Sequence, residues 1–387
     1  MKYFSLPVDF KKETIDAYDA LNRRYKGARV VETYGSITRG VYFSSGRLAR
    51  QMSSADLFDL HDYIRYAQTK DIGFNYTMNA PFLHNREFTE QGIKEIKIFL
   101  GQLYEAGVRE LTVTLPSLME LIQSTDYDFK IKASCICQIT NPSKALFYKN
   151  LGVERMVVDE SINRDFKNLE NIRKAFGDQV EVIANQVCDL NCVYRMFHYN
   201  MISGEPEGSV NETGIDFYEH RCVLQQFKNR YNLLKLSWIR PEDLHYYTDI
   251  GIHYFKLQGR HTFVKKGDPL RTVECYFQES HDGNLMDLLT MFATMNNFKI
   301  FVDNKKLDGF LKPFVAKENF CRHNCTDCKY CEAFARRAID LEGAAEIIDM
   351  ARQFYDRYDR YKKLIYAVDP VSEGRLEEAQ VEADFDL

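Results

Sequence analysis

Short apolar runs alternate along most of the chain with longer segments of helical period. Residues 28–34 (ARVVETY), 74–79 (FNYTMN), 110–115 (ELTVTL), 130–139 (KIKASCICQI), 155–159 (RMVVD), 180–184 (VEVIA), 233–239 (LLKLSWI) and 253–257 (HYFKL) read as eight strands. Helices are expected between them. One spans 55–69, with Ser54 as N-cap and Asp71-Ile72-Gly73 closing it. Another spans 89–106, apolar at Ile93, Ile96, Phe99, Leu100 and Leu103, a 3.6-residue period, with Gly107 at the C-cap. A short helix starts at Ser117, Asn141-Pro142-Ser143 opens one that ends at Leu151-Gly152, and Pro241 starts another. Segments 164–176, 269–279 and 285–295 are also helical in pattern. Strands separated by helical crossovers are parallel neighbours. Eight such units predict an α/β fold, a (β/α)8 TIM-like barrel. The rival, an open doubly wound sheet, lacks support, because no GxGxxG or GxxxxGK[ST] pattern follows any strand.

The expected organisation is a barrel over residues 1–300, a Cys-rich and helical extension over 301–366, and an acidic, disordered tail over 367–387. In such a barrel the chemistry sits at the C-terminal strand ends. Those ends carry Glu32, Tyr34, Asn79, Pro116, Thr140, Asn141, Asp159, Glu160, Asn185, Cys188, Arg240, Gln258 and Arg260. From these, Glu160, Arg260 and Arg240 are the candidate catalytic residues. A carboxylate near a cation stays ionised and can orient a hydroxyl or take a proton. A guanidinium offers a fork for a carboxylated substrate. The plain alternative is an ion pair locking the barrel rim.

Ten cysteines change the picture. Cys188 and Cys192 follow the sixth strand, with Arg195 and His198 behind them, and a long Gly-containing loop can return Cys222 over the mouth. Soft thiolates gathered there point to a metal or an iron–sulfur cluster, whereas lone buried cysteines are usually inert. A second group, Cys321, Cys325, Cys328 and Cys331, puts four thiols into eleven residues. It reads as a metal site, either zinc held by four cysteines or a ferredoxin-like cluster loop. Its CxxxCxxC part also mimics the radical S-adenosylmethionine motif. That motif belongs after a first barrel strand with an aromatic residue before its last Cys, and here Asp327 stands in that place.

The composition is that of a soluble globular protein, 45% hydrophobic and 28% charged. A net charge of −5 leaves no general basic field, so nucleic acid is not favoured as a partner. No apolar run reaches the roughly 20 residues that span a bilayer. The segment MKYFSLPVDFKKE has no signal-peptide core, which places the chain in a reducing cytoplasm where clustered cysteines bind metals more readily than they pair.

Three passages, NPSKALFYKNLGVERMVVDESINRD, NQVCDLNCVYRMFHYN and WIRPEDLHYYTDIGIHYFKLQGR, together with the C-terminal CxxCxYC-like segment, resemble the U32 peptidase-like family. The resemblance is strongest over residues 130–260. Two departures stand out. Gln258 replaces the acid of the family's lysine–acid–glycine–arginine signature, here Lys256 to Arg260. His245 stands after Asp243-Leu244 where a fourth cysteine is usual. His245, His198, Cys135, Cys137 or a C-terminal cysteine is then left to complete a set with Cys188, Cys192 and Cys222. The family name implies proteolysis of a peptide or protein, but the chain has no HExxH and no nucleophile with a recognisable base. Better-understood relatives are oxygen-independent hydroxylases of RNA or quinone precursors that need a [4Fe–4S] cluster and draw oxygen from prephenate. The resemblance thus implies an iron–sulfur enzyme performing hydroxylation or a related redox modification. A U32-type peptidase and a non-catalytic, cluster-bearing subunit of a paired assembly are the alternatives.

Overall fold

The structure, a computed structural model, describes residues 1–40, 45–47, 52–204, 217–259, 263, 266–293 and 300–340. Beyond these it describes 345–346, 349–350, 352–353, 356–357 and 359–367. Arg260, Gly208, Gly214 and the acidic stretch 368–387 lie outside the described residues.

Eight parallel strands close into a barrel in sequence order. They are β1 (Lys2–Pro7), β2 (Ala28–Gly35), β3 (Gly73–Met78), β4 (Glu110–Val113), β5 (Lys130–Ala133), β6 (Arg155–Val157), β7 (Val180–Ile183) and β8 (Tyr254–Lys256). The crossovers are α1 (Lys12–Arg24), α2 (Leu57–Gln68), α3 (Glu90–Glu105), α4 (Pro116–Gln123), α5 (Pro142–Asn150) and α6 (Phe166–Phe176). After β7 come α7 (Arg195–Gly204), α8 (Phe217–Phe227) and α9 (Leu244–Asp249). After β8 come α10 (Pro269–Gln278), α11 (Leu285–Leu289), α12 (Lys312–Ala316) and α13 (Tyr330–Ala338). Among the described residues, no helix is long and apolar enough to cross a membrane.

The barrel has the expected eight strands, but two of the expected strands change. Residues 28–34 form the second strand, because Lys2–Pro7 precedes them and closes the barrel against β8, Tyr3 beside Tyr254 and Ser5 beside Lys256. Residues 233–239 are not a barrel strand. Arg230–Lys235 is a 3-10 helix, and Leu236 makes an antiparallel bridge to Asp189 outside the barrel. Each misreading has its own cause. A six-residue strand at the chain start has little context, and a segment buried on all sides shows an apolar run whatever its conformation.

Local signals explain most helix ends. Asp56, not Ser54, caps α2, accepting from the amides of Phe58 and Asp59 while Asp59 accepts from the Asp56 amide. Thr89 caps α3 through the Gly92 amide at 3.1 Å. The α3 face of Ile96, Phe99, Leu100 and Leu103 is buried on the sheet. Asn141 caps α5 with Pro142 at its first turn.

Each strand sends alternate side chains outward to helices and inward to the barrel axis. Outward Phe4 packs on Phe255, Tyr276 and Phe277. The inward positions are unusually polar. Lys132 of β5 lies 2.5 Å from Glu32 of β2 and 2.9 Å from Glu181 of β7, all three buried. Arg155 of β6 reaches Glu32 at 3.4 Å. Burial pushes the Glu32 carboxyl up, but Lys132 and Arg155 outweigh it and hold the group down at about 2. Burial alone depresses the Lys132 ammonium, and the Glu181 and Glu32 carboxylates reverse this, leaving it raised. Glu32, expected at the barrel mouth, is therefore part of an internal charge layer that ties four strands together.

The extension packs on the barrel through one continuous apolar core that runs from Phe4 to Ile339. Buried Arg240 is the main polar link. Its guanidinium meets Asp243 at 2.8 Å and 3.1 Å, the Asn304 carbonyl at 2.7 Å and Asp308 at 3.0 Å.

Replacing Lys132 by Met removes the ion-pair partner of buried Glu181 and leaves Glu32 with Arg155 alone. Losing one partner of a buried ion pair costs about 3–5 kcal/mol. Urea unfolding of Lys132→Met is expected to shift to lower denaturant with an unchanged slope; a midpoint within error of the parent protein would refute the role of this layer.

Candidate functional site

The segment after β6 and the segment after its neighbour β7 lie side by side at the barrel mouth. Asp159 and Glu160 open a 3-10 turn, Glu160–Ile162, in which Asp159 accepts from the Ser161 amide at 2.8 Å. Arg195, at the start of α7, reaches Asp159 at 2.7 Å, Glu160 at 3.3 Å and the Asp189 carbonyl at 2.8 Å. One guanidinium thus pins the cysteine-bearing loop to the two carboxylates. Gln186 donates to Glu160 Oε1 at 3.1 Å, while Glu160 Oε2 is buried without a hydrogen-bond partner among the described residues. Burial raises the Glu160 carboxyl, Arg195 opposes that rise, and neighbouring Asp159 adds to it. A buried carboxyl with one free oxygen beside a cation can accept a donor from a bound substrate.

The three barrel cysteines lie in this region, although among the described residues no three sulfurs come together as one ligand set. The Cys188 thiol is pushed well up by burial first and by Glu160 next, with Cys222 and Cys192 adding to the rise. Cys188 is anchored through its carbonyl, which accepts from the Ser237 amide and hydroxyl, each at 2.9 Å. The Gln226 amide of α8 donates to Cys222 Sγ at 3.3 Å and to the Val187 carbonyl at 3.0 Å, holding α8 against the loop. Cys135, in a 3-10 turn after β5, faces the same space. Burial pushes its thiol up to about 12, with Glu160 adding to the rise and Lys256 opposing it. Tyr199 of α7 is raised well above the usual phenol range by burial, then by Glu160, Cys135 and Cys188. Cys137 turns away, its sulfur 3.3 Å from the Thr114 carbonyl.

The other expected site residues divide. Asn79 is at the mouth, with its amide 3.5 Å from Ser134 Oγ and its carbonyl accepting from Thr114 at 2.9 Å. Arg240 is saturated by Asp243, Asp308 and the Asn304 carbonyl, so the ion-pair reading describes it and no fork is left for a substrate. His245 is exposed on α9, its Nδ1 2.9 Å from the Glu242 carbonyl and its ring on Tyr246. Gln258 joins its backbone to the Asn185 side chain at 2.7 Å and 2.8 Å, tying the end of β7 to the end of β8.

Two residues acquire importance only from the fold. Lys256, read in sequence as part of a signature, is buried with its ammonium 3.7 Å from the centre of the Tyr34 ring. Burial lowers it to about 8, despite Glu181, with Lys132 adding to the depression. Its period-two position inside a strand was the available signal. Arg164 had none. It is buried under Trp238 and Phe310, with its two terminal nitrogens on the carbonyls of Leu234 at 2.5 Å and Leu236 at 2.6 Å.

The C-terminal cysteines line one cavity of about 320 Å³ together with Tyr231, Phe314, Phe320 and Tyr330. Cys321, Cys325 and Cys328 are exposed and Cys331 is partly buried. Burial pushes the Cys331 thiol up to about 11, Arg164 opposes this, and the other three cysteines add to it. The two cysteine groups touch through Asn191, whose amide is 2.8 Å from the His323 ring.

Comparison with known proteins bears out the family resemblance. The model of peptidase family U32 matches residues 36–190. An uncharacterized protease of Methanocaldococcus jannaschii is 28% identical over 284 residues, which cover 73% of this chain and 82% of that one. A solved U32 peptidase aligns at 14% identity over 67% of this chain and 93% of its own, with a TM-score of 0.48. A trehalose-6-phosphate hydrolase of Bacillus licheniformis aligns at 7% identity over 91% and 83% of the two chains, with a TM-score of 0.37.

Lys256 provides a pH signature. Its folded value, about 8, is below the ordinary lysine value of 10.5, so between these limits the unfolded chain binds more protons than the folded one. Stability supplied by this group therefore rises with pH across that window. A 15N NMR titration of the Lys256 ammonium is expected to show its midpoint near the lower limit, and Lys256→Met is expected to remove the rise; a midpoint at the ordinary lysine value would contradict the burial argument.

Proposed function

We propose that this relative of peptidase family U32 is an iron–sulfur enzyme that carries out a redox modification at its barrel mouth, with oxygen-independent hydroxylation as the reaction the resemblance implies. The observation that supports the reading is that the loop bearing Cys188 and Cys192 is pinned by Arg195 to Asp159 and Glu160, while Gln226 ties the same loop, at Val187, to Cys222 of α8. We take Cys135, in the turn after β5 and in the surroundings of Glu160, as the candidate fourth thiol. His245 is displaced from that role by its exposed position on α9.

The donor type, soft cysteine sulfur, is the one such a group uses. Among the described residues no three His, Cys, Asp or Glu side chains already meet as ligands of one ion. Soft sulfurs spread around a partly buried space suit a polynuclear cluster, and a bound metal deprotonates thiols outright. Such a cluster supplies one-electron chemistry. The protein's own groups do the rest. Arg195 fixes the loop that carries the cysteines, the free oxygen of Glu160 accepts from a substrate hydroxyl, and Asn79 with the Tyr199 phenol edges the space. The electronegative pair beside Arg195 and the buried Lys256 favour a small polar substrate over a long polyanion.

Thiol proteolysis has less support. A cysteine nucleophile acts as the thiolate and needs a cationic, partly exposed setting. Cys135 and Cys137 are both pushed up to about 12 by burial.

Anaerobic purification tests the reading. The protein is expected to carry iron and sulfide with the broad absorption near ~400 nm typical of such clusters. Cys188→Ser, Cys192→Ser and Cys222→Ser, each made singly, should lose the iron assigned to the mouth while keeping the helical signal of the folded barrel. Full iron content in all three variants would end the proposal.

A further inference from the structure

We propose that Lys256 is a covalent site for a small carbonyl compound, an aldehyde or ketone that its side-chain amine takes up as a Schiff base at the barrel mouth. The inference does not rest on the cluster proposed above, and no cysteine enters it.

The first observation is a contrast between two buried lysines. Lys132 is 2% exposed and Lys256 is 8% exposed. Lys132 is held at ion-pair distance by Glu32 and Glu181. Among the described residues, no carboxylate lies within that distance of Lys256, and its Nζ donates no hydrogen bond. Its nitrogen instead stands 3.7 Å from the centre of the Tyr34 ring. A buried ammonium that serves the fold is paired, because an unpaired one is costly. A lysine that is buried and left unpaired is prepared to give up its proton and act as an amine.

The second observation is position. Lys256 ends β8, beside Ser5 of β1 and Ile183 of β7. Glu181 precedes Ile183 by two residues, so it points to the same face one pleat deeper. Lys256 therefore stands just above the ionic floor. It is at the C-terminal end of its strand, where barrels of this kind carry their chemistry. A strand, unlike a loop, presents the amine from a fixed height.

The third observation is the field around the nitrogen. Burial lowers the amine to about 8, Glu181 opposes this, and Lys132 adds to it. Desolvation and a neighbouring cation are the two devices that activate a lysine toward carbonyl groups. At pH 7 such a group offers about two orders of magnitude more neutral amine than an ordinary lysine. The surroundings suit the product as well. A protonated Schiff base keeps its positive charge on the same nitrogen, where the face of Tyr34 supports it. Below it, Glu181 has one buried carboxylate oxygen without a hydrogen-bond partner among the described residues.

The step is a condensation and needs no oxidant or reductant. The neutral Nζ adds to the carbonyl carbon and forms the C–N bond. The former carbonyl oxygen takes up both amine hydrogens and leaves as water, and C=N replaces C=O. The captured carbon skeleton is then linked to an electron-withdrawing iminium, which eases bond changes at the neighbouring carbon.

The test uses the full chain purified without oxygen and held at pH 7 with acetone or propanal and sodium cyanoborohydride. The hydride converts an iminium into a stable secondary amine, and peptide mass mapping over time follows each lysine. Lys256 is expected to be labelled by at least one probe at least tenfold faster than exposed Lys11 and Lys317. The variant Lys256→Arg keeps a cation over Tyr34. It is expected to lose the fast label and to retain the slow labelling of the exposed lysines. Circular dichroism checks that this variant folds, and if it does not, the map of the parent chain decides alone. A Lys256 that stays unlabelled, or that reacts with both probes no faster than Lys11 and Lys317, overturns the proposal and leaves a structural cation packed on Tyr34.

Discussion

A lysine ammonium buried at the centre of the barrel is the constraint on which the rest depends. Lys132 can be there only because Glu32 and Glu181 approach it from strands on either side. Charge removed from water needs a partner in good geometry, and its loss is far more damaging than an apolar substitution of both. That requirement acts on register. A one-residue slip of β5 would turn Lys132 outward among the helices and leave two carboxylates alone inside. The charge layer therefore specifies which strand positions face inward, and so which residues emerge at the mouth one step further along each strand.

From that floor the site builds upward. Lys256 and Tyr34 stand next to the charge layer, and burial beside Lys132 leaves the Lys256 ammonium easily deprotonated. Above them, Arg195 joins the ends of the β6 and β7 segments. The same guanidinium that settles the two carboxylates also donates to the loop carbonyl of Asp189, which fixes the cysteine loop beside them. The site and the loop are stabilised by the same contacts, which is why Arg195 ranks above Arg240 as an organising group. Arg240 performs a similar task elsewhere, fastening the C-terminal extension through Asn304 and Asp308.

The extension is more than an appendage. Val302 bridges Ile339 within the extension, and Asp303 bridges Asn284, so its start is tied back to the segment that follows β8. The Phe310 ring packs on Trp238, and Phe310 and Phe314 cover the Arg164 guanidinium, with Tyr330 behind them. This packing brings the outer cysteine cavity against the loop that bears Cys192, two groups more than a hundred residues apart in the chain.

Much was legible in the sequence alone. Period-two and period-3.6 patterns, with caps such as Thr89 and Asn141, identified the alternating elements and the closed barrel, because local sterics and burial act over a few residues. The spacing of Cys188 and Cys192, and the density of Cys321 to Cys331, marked the candidate chemistry, since few other roles gather thiols so closely. What remained hidden was decided at long range. Lys2–Pro7 is a strand because β2 and β8 lie beside it, and residues 233–239 are not one because the barrel is already closed without them. Glu32 looked like a mouth carboxylate, yet one turn of pleat places it at the ionic floor. Arg240 looked like an anchor, yet Asp308, far along the chain, had already taken it. Arg164 carried no signal, because its meaning lies in the two carbonyls and the distant cysteines around it. Charges and hydrogen-bond donors are satisfied by neighbours in space, and only the closed fold determines which neighbours those are.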